Sequence, residues 1–320
     1  MIARHFAPIA GPGGLGLLDD AGLIRPARGY EIVVTADALV AGVHFFPDDP
    51  PASIARKALA VNLSDLAAKG AKSEGFVLSL VLPQGWTEDW LAGFAEGLKQ
   101  IADAGGCPLI GGDTVSTPGP LTLSITAFGS VPAGRMVPRS GAKPGDVLLV
   151  SGTIGDGALG LKVHGLDRPA WVAGLAEDDR AFLADRYLHP RPRLALAAAL
   201  QAHASAAMDV SDGLIGDLAK LLSASGVGAE VDLGAVPLSG PARAAIMADP
   251  ALLELAWTGG DDYEILCAAS ERDYPFLMAA SEAAGVPLAV FGRITAEVGS
   301  VRYFHQGQPR EFARRSFTHF

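Results

Sequence analysis

The sequence predicts a two-domain protein of the α/β (α+β) class, and three observations carry that prediction. Strand-like and helix-like patterns alternate through the first 130 residues, as layered mixed domains require. The chain has 320 residues, 49% of them apolar, enough for two cores of ordinary size. A turn-rich stretch, Val137-Pro-Arg139-Ser-Gly-Ala-Lys-Pro-Gly-Asp146, interrupts the alternation and places a boundary there. The expected domains are residues 1–140 and 141–320.

In order, Gly11-Pro-Gly-Gly-Leu-Gly16 matches the dinucleotide-binding spacing, but no strand precedes it and Asp19-Asp20 follow where pyrophosphate would sit. It reads instead as a glycine loop leading into an acidic pair. Glu31-Ile-Val-Val-Thr-Ala-Asp37 is β-branched and reads as a buried strand with Asp37 at its tip. Ser53 reads as the N-cap of a helix running to about Lys69, apolar nearly all round and therefore buried. Asn62 and Asp65 share a face of it, and a buried carboxylate demands a cation, either a basic side chain or a metal. Thr87 opens an amphipathic helix bearing Leu91, Phe94, Leu98 and Ile101. On either side of it, Phe76–Leu82 and Leu121–Phe128 read as strands, the second with clean period two.

Between these, Leu109-Ile110 reads as the end of a strand that turns at Gly111-Gly112 and delivers Asp113 at its carboxyl end. Beyond the boundary, Val147–Val150 reads as a strand and helices are expected near 155–164, 176–187 and 193–203. A short strand then ends in Met208-Asp209-Val210-Ser211-Asp212-Gly213 and enters a helix. Residues 261–266 read as strand-like, followed by a helix near 271–285 and strands near 287–294 and 300–304. The Ser-Asp pairs at 64–65 and 211–212 precede the Gly-Gly-Asp triplets ending at Asp113 and Asp261 by nearly equal intervals, which suggests an internal duplication.

Composition excludes several classes. The formal charge of −10 argues against a nucleic-acid partner, whose binding is driven by basic residues. No apolar run of about 18 residues is present, so no membrane span is expected. The opening residues lack a long apolar core with a small-residue cleavage site, so a cytoplasmic location is expected. Cys107 and Cys267 lie far apart, outside any zinc or redox spacing, and read as core residues.

Asp20, Asp37, Asp65, Asp113, Asp209 and Asp212 are the acids expected to converge on one site. Hard oxygen ligands select Mg²⁺, and with several such ions the cluster accepts the phosphates of ATP rather than repelling them. Each has a plainer reading beside it. Asp209 and Asp212 would suit a helix cap, His44 a packed ring, and Arg139 either a solvated linker residue or a phosphate ligand. Neither a P-loop, nor protein-kinase loops, nor a nucleophile elbow occurs. The residues thus point to a metal-dependent phosphate enzyme without naming its acceptor.

Eight blocks, in order across nearly the whole chain, carry a resemblance: Leu-Asp-Asp-Ala (18–21), Thr-Ala-Asp (35–37), Ala-Gly-Val-His-Phe (41–45), Lys57–Ala68, Gly-Gly-Asp-Thr (111–114), Arg139–Asp146, Asp-Val-Ser-Asp-Gly-Leu (209–214) and Gly-Gly-Asp-Asp-Tyr-Glu (259–264). The chain resembles the thiamine-monophosphate kinases, of the aminoimidazole ribonucleotide synthetase-like fold group. The resemblance implies an N-terminal mixed-sheet domain forming a homodimer interface and a C-terminal α+β domain completing the site. It implies transfer of a phosphoryl group from ATP to thiamine monophosphate, with several Mg²⁺ ions and no phospho-enzyme. Asp20, Thr35, Asp37, Asp65, Asp113, Asp209 and Asp212 would bind Mg²⁺. Gly112, Asp113, Arg139 and Ser211 would contact ATP, and His44, Asp261 and Phe317 thiamine monophosphate, Phe317 by stacking.

Three positions depart from the pattern: Leu18 and Ala36 replace a glycine and a hydroxyl residue, and Asp261 stands for glutamate, one methylene shorter. The alternatives are a synthetase of the same fold with another acceptor, or a catalytically silent nucleotide-binding protein. A selenophosphate-forming member would carry a reactive cysteine near its N-terminus, whereas the first cysteine here is Cys107.

Overall fold

The computed structural model describes residues 1–167 and 169–312, so Phe317 lies outside the described residues. The chain divides into two compact units, one of Met1–Ala67 with Ala71–Met136, the other of Ala68–Gly70 with Val137 onward.

The first unit is built from β1 (Tyr30–Val40), α1 (Pro51–Ala68), β2 (Lys72–Pro83), α2 (Glu88–Gly105), β3 (Leu109–Thr117) and β4 (Thr122–Pro132). Its sheet has the order β1-β4-β2-β3, antiparallel except for the β2–β3 pair. Alternation sends Leu78, Leu80, Leu82, Leu123 and Ile125 into the core. The opposite face leaves Val34 and Val115 exposed. On α1, Ala55, Leu59, Leu63 and Leu66 are fully buried together with Asn62 and Ser64, as an all-round apolar helix requires. The helix starts two residues before Ser53, so Ser53 is buried within its first turn and does not cap it. Thr87 does cap α2, accepting from the Trp90 amide at 3.1 Å, and Gly106 ends it in a left-handed turn. Thr87→Ala is expected to cost about 1 kcal/mol of stability; an unshifted urea midpoint would show the bond to contribute nothing.

Two strands differ from the expectation in an instructive way. β1 runs three residues past Asp37 because β4 pairs along its whole length, so Asp37 lies inside the strand rather than at its tip. β3 continues through Gly111-Gly112 without turning. Its second glycine is needed for close approach: a Cβ on Gly112 would stand 2.1 Å from the Leu78 carbonyl oxygen on β2.

The second unit holds β5 (Val147–Ser151), α3 (Asp156–His164), α4 (Ala170–Ala173), α5 (Glu177–Leu188), α6 (Ala197–His203), β6 (Ala206–Val210) and α7 (Leu214–Ser225). It continues with β7 (Gly228–Asp232), α8 (Gly240–Ala248), α9 (Leu252–Thr258), β8 (Glu264–Ala269), α10 (Tyr274–Ala283), β9 (Leu288–Thr295), β10 (Val301–His305) and β11 (Gln308–Arg310). Its sheet has the order β11-β10-β7-β9-β5-β8-β6, with β7–β10 the parallel pair. One core joins this sheet to α7 and Trp257, and a second lies among α3, α5 and α8. Phe312 packs edge-on against Trp257 and Tyr303. β7, α8 and α9 have no counterpart among the sequence expectations.

The duplication reading fails. Ser64-Asp65 sits inside a helix while Ser211-Asp212 sits between a strand and a helix. Gly111-Gly112-Asp113 lies in a strand while Gly259-Gly260-Asp261 is a loop, and the strand orders around them differ.

Candidate active site

In the first unit, β1 and α1 bring three of the expected residues together. Thr35 and Asp37, two apart, share the strand face that also buries Val33 and Leu39. The Thr35 hydroxyl donates to the Asp65 carboxylate of α1. Asp65 is only partly buried, so the full desolvation penalty expected for it does not arise. Asp37 bears more of that cost: burial, and then the negative charge of Asp65, push its carboxyl up to about 6. Among the described residues no basic side chain pairs with either acid.

Asp19, Asp20, Gly112 and Asp113 line a cleft of about 250 Å³, floored by Leu78 and Ile110. Its walls depend on glycines. A Cβ on Gly22 would stand 2.3 Å from the Ile110 carbonyl, and one on Gly13 as close to that of Leu23. The glycine loop therefore serves to bring the acidic pair against β3. β1 and β3 are opposite edges of the sheet, with β4 and β2 between them, so Asp37 and Asp113 stand on strands roughly 14 Å apart at the usual spacing. Within one copy of the chain they do not form one cluster. Among the described residues no three acidic, histidine or cysteine side chains are grouped to hold an ion unaided. His44 is locked locally, its Nδ1 accepting from the Val40 amide at 3.0 Å, which leaves the ring proton on Nε2.

In the second unit, Asp209 is buried within β6, and Ser211 and Asp212 follow in the loop before α7. Neither acid caps that helix. Asp217, one turn in and fully buried, accepts from the Ser211 and Asp212 amides at 3.0 and 2.9 Å and so shapes the loop. Burial pushes the Asp217 carboxyl up while Lys220 pulls it down. Lys220 bridges Asp212 at 2.5 Å and Asp217 at 2.7 Å. Arg139 is exposed on a loop whose Gly141 amide donates to Ser225.

The Gly259–Tyr263 segment lies against the same loop. The Asp261 and Tyr263 amides donate to the Ser211 and Val210 carbonyls at 2.9 and 2.8 Å. Strand β8 begins only at Glu264, because Asp261 and Tyr263 are held in left-handed backbone, φ 74° and 52°. The Asp262 carboxylate, buried between them, accepts from the Gly155 and Gly157 amides at the entrance of α3. Burial drives that carboxyl well up, and the two amides pull against it.

Sequence reasoning missed Asp217, Lys220, Asp262, Arg186 and Glu264. The 217–220 spacing on one helix was a readable signal for the first two. Nothing local in the sequence pointed to Arg186, whose hydrogen-bond partners lie 76 and 78 positions away.

Both cysteines are buried, and burial pushes each thiol up to about 12, which makes them unreactive in the folded protein. Among the described residues no helix is long and apolar enough to cross a membrane.

Comparison with known proteins places this geometry. Residues 18–131 match the family described as AIR synthase related protein, N-terminal domain, and residues 143–304 its C-terminal domain. The thiamine-monophosphate kinase of Salmonella typhimurium is 41% identical over 100% of this chain and 97% of its own length. The crystal structure of the same enzyme from Stenotrophomonas maltophilia superposes with a TM-score of 0.82 at 38% identity, covering 92% of this chain and 91% of that one. The solved complex of AaThiL with AMPPCP and TMP gives 0.80 at 28% identity, covering 96% and 97%. With both family domains matched in order and relatives aligned end to end, the chain belongs to the AIR synthase related family and, within it, to the thiamine-monophosphate kinases.

Proposed function

We propose that this chain transfers the terminal phosphoryl group of ATP directly to thiamine monophosphate, yielding thiamine diphosphate and ADP. Family membership supports the reaction, and a relative captured with an ATP analogue and TMP supports both substrates. The observation in the chain itself that carries the reading is the Thr35–Asp37–Asp65 group, a hydroxyl and two carboxylates without a basic partner among the described residues.

That donor set fits Mg²⁺, which takes hard oxygen ligands, keeps several waters and completes its shell with substrate phosphates. Thr35, Asp37 and Asp65, with Asp20, Asp113, Asp209 and Asp212, would hold such ions. Bound there, the ions would neutralise charge on the transferring group. Gly112, Asp113, Arg139 and Ser211 would orient ATP, Gly112 by leaving its backbone bare. His44, Asp261 and Phe317 would hold the acceptor. No side chain needs to form a covalent intermediate; the residues position two anions in line, and that arrangement supplies most of the catalysis in phosphoryl transfer.

The same reading takes residues 1–140 as the metal-binding and dimerisation domain and residues 141–320 as completing the nucleotide and substrate site, in a homodimer in the cytoplasm. The sheet order supports a dimer, since β1 and β3 are opposite edges and a second copy can supply Asp113 where one chain cannot. The exposed valines on the outer sheet face suit such a contact. The test is chromatography of the products after incubation with ATP, Mg²⁺ and thiamine monophosphate. Equal amounts of thiamine diphosphate and ADP are expected. ADP without thiamine diphosphate would indicate another acceptor, and nucleotide binding without turnover a silent binding protein.

A further inference from the structure

The loop that presents Asp261 is held in a conformation its own residues resist. Asp261 and Tyr263 both adopt left-handed backbone, φ 74° and 52°, which side-chain-bearing residues rarely occupy unless their surroundings impose it. The residues between and after them are buried, Asp262 at 1% exposure and Glu264 at 0%. Asp261 and Tyr263 remain partly exposed, and the Tyr263 hydroxyl donates to Asp261 Oδ1 at 3.3 Å.

What imposes the conformation lies underneath. Arg186 of α5 is 3% exposed, and its Nη2 donates both to the Asp262 carbonyl at 3.2 Å and to Glu264 Oε1 at 3.0 Å. One guanidinium thus grips the main chain between the two left-handed residues and the first side chain of β8. The Asp262 carboxylate fixes the same peptide from the other side through the Gly155 and Gly157 amides, at 2.7 and 2.9 Å. Glu264 has a second guanidinium, Arg193, whose Nε donates at 2.6 Å. The charge of Glu264 is therefore balanced without Arg186, while among the described residues no other side chain donates to the Asp262 carbonyl. Arg186 Nη1 is buried with no hydrogen-bond partner among the described residues, and Nε lies 4.0 Å from the Asp156 carboxylate, so Nη2 alone makes the hydrogen bonds to this segment.

We propose that Arg186, working with Asp262, is a positioning residue for the acceptor substrate: it sets the left-handed backbone that aims the Asp261 carboxylate and the Tyr263 phenol as a pair. The inference rests on the reading of Asp261 as a contact to thiamine monophosphate. Arg186 itself, sealed in the core, does not touch the substrate. Its effect should therefore fall on acceptor binding and leave nucleotide binding alone.

The test uses the full chain and four variants, with dissociation constants for thiamine monophosphate and for a non-hydrolysable ATP analogue measured by calorimetry. Arg186→Met keeps an unbranched apolar stem and removes the donors; it should weaken thiamine monophosphate binding about tenfold or more, as small misplacements of binding groups do, with the nucleotide constant within about twofold. Arg186→Lys, which can still reach one of the two acceptors, should recover most of the loss. Equal weakening of both ligands, or no change in either, overturns the proposal. Should Arg186→Met fail to fold, Asp262→Asn decides: it keeps the carbonyl that Arg186 grips and loses one amide bond, so a threefold or greater loss confined to the acceptor supports the proposal and an unchanged constant overturns it. Asp261→Ala separates the two layers. If it leaves acceptor binding intact, the role read for Asp261 falls and this inference with it; if it abolishes binding while the Arg186 variants do not, this inference alone falls.

Discussion

Asp65→Asn is expected to lower kcat at least about a thousandfold, equivalent to some 4 kcal/mol of lost transition-state stabilisation, while the protein stays folded. The substitution keeps the size of the side chain and leaves an oxygen able to accept from Thr35. The neighbours on α1 that secure the helix, Leu59, Leu63 and Leu66, are untouched. What disappears is one negative charge from the group that would hold Mg²⁺ against the ATP phosphates. Circular dichroism and a cooperative urea transition would establish the fold, and steady-state rates of thiamine diphosphate formation the loss. Turnover above about a tenth of the wild-type rate would remove Asp65 from the site, since direct metal ligands in phosphoryl transfer act through their charge.

A second large effect concerns stability in the absence of divalent ions. Burial and the charge of Asp65 raise the Asp37 carboxyl from an ordinary 3.8 to about 6. The folded state therefore holds that proton more tightly than the unfolded chain does. Below about pH 4 both states are protonated and the group costs nothing. Between about pH 4 and 6 the unfolded chain releases its proton first, and the cost of folding grows as pH rises. Above about pH 6 the cost is complete, up to about 3 kcal/mol from a shift of about two units. Asp37→Asn should thus be more stable than wild type at pH 7.5 by about 2–3 kcal/mol, and the advantage should vanish at pH 4. Urea midpoints measured with chelator across that range would check it. A constant difference across pH, or none, would show that Asp37 is already satisfied without a cation. Its gain in stability would come at the expense of function, the trade expected where like charges are assembled for a ligand.

Much of the scaffold was legible because it is locally encoded. The period-two alternation at Leu121–Phe128, the stripe Leu91, Phe94, Leu98 and Ile101, and the Thr87 cap each need only their own neighbours. So does the all-round apolar character of α1, which buries it whatever it packs against. The acids, too, were legible as candidates, because carboxylates beside glycines and strand ends are out of place in a simple core. Their grouping was not. Thr35, Asp37 and Asp65 meet because β1 pairs with β4 in one register and α1 lies across that face, and no window of sequence contains that register.

The sequence by itself therefore determined the class of the fold, the apolar faces of its helices and strands, the chemistry of its acids and its likeness to a kinase family. Only the tertiary structure decided that Gly112 serves close contact with β2 rather than a turn, that Asp113 stands at the opposite sheet edge from Asp37, and that a buried arginine holds Asp261 in a backbone it would not choose. The reason is that propensity acts over a few residues, whereas steric approach, strand order and buried ion pairs join positions tens of residues apart, whose separation the chain closes only on folding.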